Sequence, residues 1–313
     1  MAARVIPVIA VLALLCSALP AASQPAVWPL TAVDDLGNTV VLPARPMRIV
    51  SLTLPTDEIL LSLVDASRIL GVTTFAADPT VSNVADQVAA IPHKLTLNPE
   101  TIISLAPDLV FVADWNDAGA VKLLRDAGIP VFVIANGLSV PVMEKKIELV
   151  ARLTGDQDRG RLIVARMEAR LAAVAEKVSR IPREKRARVL DYATWGSAQG
   201  PGSSWDEVIR RAGLIDAVAG FVPDHWGQVP LSREKVLELD PDILVLPGWV
   251  YGKPQGAAAF FSQVTTDPAL RGLRAIRTKR VYMAPEQLKT TTSQYFADAV
   301  EWLAKIAYPD LFR

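Results

Sequence analysis

Four of the seven tryptophans in this 313-residue chain, Trp115, Trp195, Trp226 and Trp249, fall with Tyr251 in segments that leave or approach strand-like apolar runs. In parallel sheets, ligands bind beyond the carboxyl ends of the strands. Large amphipathic rings with few acids or bases around them suit a bulky, partly planar solute better than a bare ion. Packing in a core or between lobes explains any one of these rings equally well, but loop positions after strands tilt the group toward a cleft. His225, between Asp224 and Trp226, could bind a ligand or move a proton. Lys289, just past the last apolar run, is a candidate cation. No GxSxG, HExxH or phosphate-loop pattern occurs. His93 and His225 fall short of the three histidines and a carboxylate that a bare zinc or manganese site wants. The inventory therefore points to binding rather than catalysis, with a chelatase-like enzyme and a secreted interaction protein as the competing classes.

One segment is written twice. Residues 95–113 (LTLNPETIISLAPDLVFVA) and 229–247 (VPLSREKVLELDPDILVLP) align at an offset of 134. Leu97/Leu231, Glu100/Glu234, Leu105/Leu239, Pro107/Pro241 and Asp108/Asp242 are identical pairs, and the same offset relates Trp115 to Trp249. Each copy predicts a short helix capped by Asn98 or Ser232, stopped before a proline and followed by a strand buried on both faces. Two related α/β lobes facing one another make a cleft. Glu100 and Glu234 sit in the first turns of equivalent helices, where a carboxylate complements the helix dipole. One acid on each of two lobes also suits symmetric docking on a dimeric partner with basic residues.

The other elements follow from periodicity. Strands are predicted at 48–52, 71–75, 128–135, 188–193 and 280–285, and helices at 56–64, 118–126, 205–213, 257–264 and 293–307. Asp57 and Glu58 fall in the first turn of the 56–64 helix, where the dipole favours acids. Residues 140–187 form a helical connection with Ile147, Val150, Leu153, Leu162, Ala165, Leu171 and Val174 at core spacing, interrupted at Gly155 and Gly160. A bend or two helices is as consistent with this pattern as one rod. A helical joint resists large hinge closure, because bending it breaks backbone hydrogen bonds. The expected organisation is a signal peptide (1–23), an N-terminal lobe (24–139), the connection (140–187) and a C-terminal lobe (188–313), giving two Rossmann-like lobes with parallel sheets.

Lys plus Arg and Asp plus Glu balance at 33 each, so neither nucleic acid nor an anionic membrane surface is an obvious partner. The first residues carry Arg4, an apolar run from Val5 to Leu15 and then small residues. That run is too short to span a bilayer and reads as an export signal cleaved near Ala22 or Ser23. Cys16, the single cysteine, ends the run where a lipoprotein would be acylated, but Ala13 and Leu15 depart from that pattern.

From about Pro46 to the C-terminus the chain resembles the periplasmic binding proteins of ABC importers for ferric siderophores, haem and vitamin B12. The resemblance rests on residues 46–64, 97–113, the connecting helical segment, GPGSSWDEVIRRAGL (200–214), 230–247 and RVYMAP (280–285). It implies a monomeric, non-catalytic periplasmic protein with no cofactor of its own. Such a protein would take a metal chelate or corrinoid to an inner-membrane permease dimer, Glu100 and Glu234 pairing with permease arginines. B12-binding members place tryptophans shortly before those glutamates. Trp226 roughly matches one, whereas the N-lobe counterpart reads HKLTL with no aromatic. Siderophore binders often line the cleft with arginines, and none is placed here. An oxyanion is the alternative solute.

Overall fold

The computed structural model describes residues 26–289 and 291–313; the segment expected to be an export signal, its expected processing near Ala22 or Ser23, and Cys16 lie outside them. An antiparallel hairpin of β1 (Leu30–Val33) and β2 (Thr39–Leu42) precedes the first lobe. That lobe is a five-stranded parallel sheet of β3 (Ile49–Ser51), β4 (Ile69–Thr73), β5 (His93–Leu95), β6 (Leu109–Ala113) and β7 (Val131–Ile134), in the order β5-β4-β3-β6-β7. Helices α1 (Leu54–Leu63), α2 (Pro99–Ser104) and α3 (Ala118–Asp126) connect the strands. The second lobe repeats the plan in a four-stranded parallel sheet. It contains β8 (Arg188–Asp191), β10 (Ile215–Asp216), β12 (Ile243–Pro247) and β13 (Val281–Ala284), ordered β10-β8-β12-β13. A small antiparallel pair, β9 (Ser197–Gln199) with β11 (Gln228–Pro230), stands apart. The strand predicted at 71–75 runs over Ile69–Thr73 and stops there, because Thr73 Oγ1 accepts from Ala76 N at 3.2 Å and starts a 3-10 turn over Thr74–Ala77.

The repeat is structural down to its backbone. Asn98 accepts from Thr101 N at 2.8 Å and Ser232 accepts from Lys235 N at 3.2 Å, capping α2 and α7 (Arg233–Leu239). Both helices end on a left-handed residue before proline, Ala106 at φ 47 and Asp240 at φ 37. Proline disfavours a right-handed predecessor, so the helix must leave its path there. After it, Asp108 accepts from Met47 N (2.7 Å) and Arg48 N (2.9 Å), while Asp242 accepts from Arg188 N (2.8 Å). Each Pro-Asp pair thus fixes β6 or β12 beside the first strand of its lobe.

The connection is two helices meeting at a corner, α4 (Val140–Thr154) and α5 (Gln157–Val178), with Gly155 at φ 74 between them. A Cβ on Gly160 would stand 2.4 Å from Ala151 Cβ, so this glycine permits the close crossing. Leu162 and Ala165, expected inside, are exposed, and α5 buries Ile163, Val164, Met167, Leu171 and Val174. Arg68, itself buried, bolts the corner to the first lobe. It donates to Pro46 O, to Thr154 O (2.6 Å) and to Asp156 (2.7 Å), which also pairs with Arg45. Helices α6 (Ser204–Arg211), α8 (Gly256–Thr266), α9 (Arg274–Arg277), α10 (Glu286–Lys289) and α11 (Phe296–Ala307) complete the second lobe. One apolar core runs from Ile49 and Phe111 through Ile147 and Met167 to Val189, Ile243 and Leu303, so both lobes and the corner share it. Among the described residues no helix is long and apolar enough to cross a membrane.

Candidate functional site

Both sheets present their carboxyl ends to a cleft, as the switch in strand order on either side of β3 and β8 predicts. The N-terminal half is a cavity of about 400 Å³, whose lining includes Leu54 and Pro55 after β3, Phe75 after β4, Trp115 and Asn116 after β6 and Asn136 after β7. The C-terminal half is a cavity of about 540 Å³ lined in part by Asp191, Trp195, Trp249, Tyr251, Glu286 and Lys289.

Local bonding aims these side chains. Asn116 Oδ1 accepts from Ala113 N at 2.7 Å and closes the loop that carries Trp115, which is 60% exposed. Asp57 Oδ2 accepts from Thr73 Oγ1 at 2.6 Å and Thr73 N at 3.1 Å, so a buried acid holds the turn that carries Phe75. In the second lobe a Cβ on Gly248 would meet Ala284 O at 1.9 Å, so only glycine lets the chain turn here from β12 into Trp249. Trp249 and Tyr251 meet edge to face with centroids 5.8 Å apart. Trp195 leads into β9 and stands 73% exposed.

Of the residues singled out by sequence, Trp115 lines the N-terminal half and Trp195, Trp249, Tyr251 and Lys289 line the C-terminal half. Trp226 borders a neighbouring groove with Leu138, Gly202 and Ser203. His225 borders none of these cavities and packs against Trp226 with centroids 4.7 Å apart. Asp224 Oδ1 accepts from Trp226 N (2.8 Å) and Gln228 N (2.9 Å), shaping a turn, and no hydrogen bond joins it to His225 among the described residues. Lys289 is no free cation: its Nζ lies 2.6 Å from Asp191 Oδ1, both side chains buried. Glu100 and Glu234 are exposed on equivalent helices. The Ser232 hydroxyl holds Glu234 below the usual carboxylate range. No group of three metal-ligating side chains gathers among the described residues.

Sequence reasoning missed Phe75, Asn136, Glu58 and Asp191. The strand-end rule would have found Phe75 had the strand been ended at Thr73. Asp57 and Glu58 are buried rather than dipole-facing acids, at 0% and 1% exposure. Glu58 Oε1 accepts from Asn83 Nδ2 at 2.7 Å, and Oε2 from Thr291 Oγ1 (3.1 Å) and Ser293 Oγ (2.5 Å). It clasps the two lobes beneath the cleft, and burial raises its pKa against those hydrogen bonds.

Comparison with known proteins agrees with this architecture. An uncharacterized ABC transporter substrate-binding lipoprotein of Bacillus subtilis, YvrC, is 27% identical over 92% of this chain and 88% of its own length. A cobalamin-binding protein of Halobacterium salinarum is 29% identical over 70% of this chain and 58% of its own length. The molybdate-bound structure of MolA from Haemophilus influenzae superposes with a TM-score of 0.73 at 22% identity, covering 90% of this chain and 92% of that one. The periplasmic binding protein family model matches residues 49–288, from the first strand of the first lobe to the floor of the second, and the chain belongs to that family.

Proposed function

We propose that this protein is the solute-binding component of an ABC importer. It captures a bulky, partly planar solute between its lobes outside the cytoplasm and delivers it to a permease dimer without chemical change. The carrying observation is the cleft itself, with Trp115 and Phe75 facing one cavity and Trp195, Trp249 and Tyr251 facing the other. Two cavities of about 400 and 540 Å³ match the size range of small-molecule sites. Iron chelates, haem and cobalamin all fit that description. Glu100 and Glu234, one per lobe and free of salt bridges among the described residues, are the docking acids of this reading. The export signal and processing near Ala22 or Ser23 belong to the same reading.

Tryptophan fluorescence of the mature protein, titrated with cyanocobalamin, haemin and ferric hydroxamate and catecholate siderophores and checked by calorimetry, tests it. Saturable one-to-one binding of one solute is the expected result. Failure of the whole panel would overturn the chelate reading and favour the oxyanion alternative.

A further inference from the structure

The charge balance of the whole chain conceals a division. Residues 24–139 hold six Lys and Arg against twelve Asp and Glu, whereas residues 140–187 hold twelve against seven. The cationic surplus continues where the connection enters the second lobe, at residues 180–188, which carry five cations and Glu184 as their one acid. Arg183, Lys185 and Arg188 are exposed, Arg186 is half-buried, and none of the four has an ion-pair partner among the described residues. Residues 277–280 lead into β13 and add Arg277 and Lys279, both exposed and likewise unpaired among the described residues.

The topology brings these two segments together. Strands β8, β12 and β13 are adjacent and parallel, so both segments reach the sheet at its amino ends, on the face opposite the cleft. β8 and β13 flank β12 and so stand two strand spacings, about 10 Å, apart. Arg183 and Arg186 also line one groove of about 380 Å³ with Arg210, which pairs with Asp206. Asp240 and Asp242, the acids beside β12, are both taken by Arg274.

We propose that this amino-end face of the second lobe is a landing surface for an anionic phospholipid membrane. Each cation held near an anionic leaflet strengthens binding about fivefold, and these groups break no ion pair to make the contact. Their spacing is close to a Debye length, about 8–10 Å at physiological salt, so one leaflet feels them together. Lipid suits the face better than nucleic acid does. A single strand wants exposed aromatic rings to stack its bases, and a duplex wants a helix or ribbon that enters a groove. Here the cations stand on turns entering strands, and no exposed large apolar residue lies at 177–188 or 274–280. Held by this face, the protein turns the mouth of its cleft away from the leaflet and toward solution.

The test is co-sedimentation of the mature protein with vesicles of phosphatidylcholine alone and of phosphatidylcholine with about 30% phosphatidylglycerol. At low salt the bound fraction is expected to be at least about tenfold higher on the anionic vesicles, and to be lost in about 0.5 M salt, where screening shortens the reach of the charges. Arg183→Glu combined with Lys185→Glu should weaken that binding at least about tenfold. Lys94→Glu combined with Lys145→Glu changes the net charge equally, at exposed positions in the first lobe and in α4, and should leave binding within about twofold of wild type. A wild type with no preference for anionic vesicles would overturn the proposal, as would a folded Arg183/Lys185 variant that still binds. Equal loss in both double variants would also overturn it, since net charge rather than this face would then be responsible. Should the first variant not fold, Arg188→Glu with Arg277→Glu carries the same expectation. Capture of a single-stranded oligonucleotide without enrichment on anionic vesicles would assign the face to nucleic acid instead. None of these readouts involves a solute, so they stand apart from the solute-binding reading above.

Discussion

Ser293 Oγ donates to Glu58 Oε2 at 2.5 Å, joining residues 235 positions apart beneath the cleft. Thr291 and Asn83 bond the same carboxylate, and Asn83 Nδ2 also reaches Gln287 O at 2.7 Å. Ser293→Ala is expected to cost about 1–3 kcal/mol, because it leaves a buried acceptor of Glu58 without its partner. Glu58→Ala should cost more, since several buried donors lose their acceptor at once. Urea unfolding of both variants checks the order. A serine variant as stable as wild type would remove the clasp from the account.

Stability should fall with rising pH. Burial pushes Asp57 up to about 8 from an ordinary value of 3.8, and Asp216 up to about 6. In the window between the unfolded and folded values, the native state holds protons that the unfolded chain has released. Its advantage is fully present below about pH 4 and declines until about pH 8. Glu58, also raised by burial, adds the same sign. Asp57→Asn, which cannot ionise, should flatten this decline. Urea midpoints at pH 5 and pH 8 measure it, and an unchanged slope in the variant would assign the effect elsewhere.

The corner between α4 and α5 depends on having no side chain at residue 160. Gly160→Leu puts atoms where Ala151 already sits, and overpacking of this kind costs about 1–3 kcal/mol. Thermal unfolding reports the loss. Full stability would mean that the helices can part without consequence.

Docking and capture should separate. Glu100→Lys and Glu234→Lys change exposed side chains outside both cavities, so solute affinity and unfolding midpoint are expected to stay within error. Transport into proteoliposomes containing the permease should fall at least about tenfold with the double reversal. Equal loss of affinity and transport would show that the two roles are not distinct.

Much of this architecture is legible in the sequence because it is local. Asn98 and Ser232 announce helix starts, Pro107 and Pro241 announce their ends, and the repeated spacing carries the fold from one lobe to the other. The cleft aromatics follow from one rule about strand ends. Glu58 escaped because its partners Thr291 and Ser293 come from the far end of the chain, and a first-turn acid looks the same whether a dipole or a hydroxyl claims it. The ion pair of the candidate cation Lys289 is hidden for the same reason, with Asp191 nearly a hundred residues away. Leu162 and Ala165 were misplaced by taking any apolar residue of the stretch as inward-facing: counted back from Leu171 at about 3.6 residues per turn, the buried face passes through Met167 and Val164 instead.

The bolting of the α4–α5 corner by Arg68 has a mechanical consequence. A buried guanidinium bound to Pro46 O, Thr154 O and Asp156 removes the swivel that a two-lobed protein would otherwise have at this point. The common core does the same on the far side. Bending at this corner would break buried hydrogen bonds, so the frame resists a change in the spacing of the lobes. On the docking reading proposed above, Glu100 and Glu234 would act as the two tips of a caliper. A partner built to that gauge would recognise the protein by distance, and would have to learn whether it is loaded from something subtler than its width.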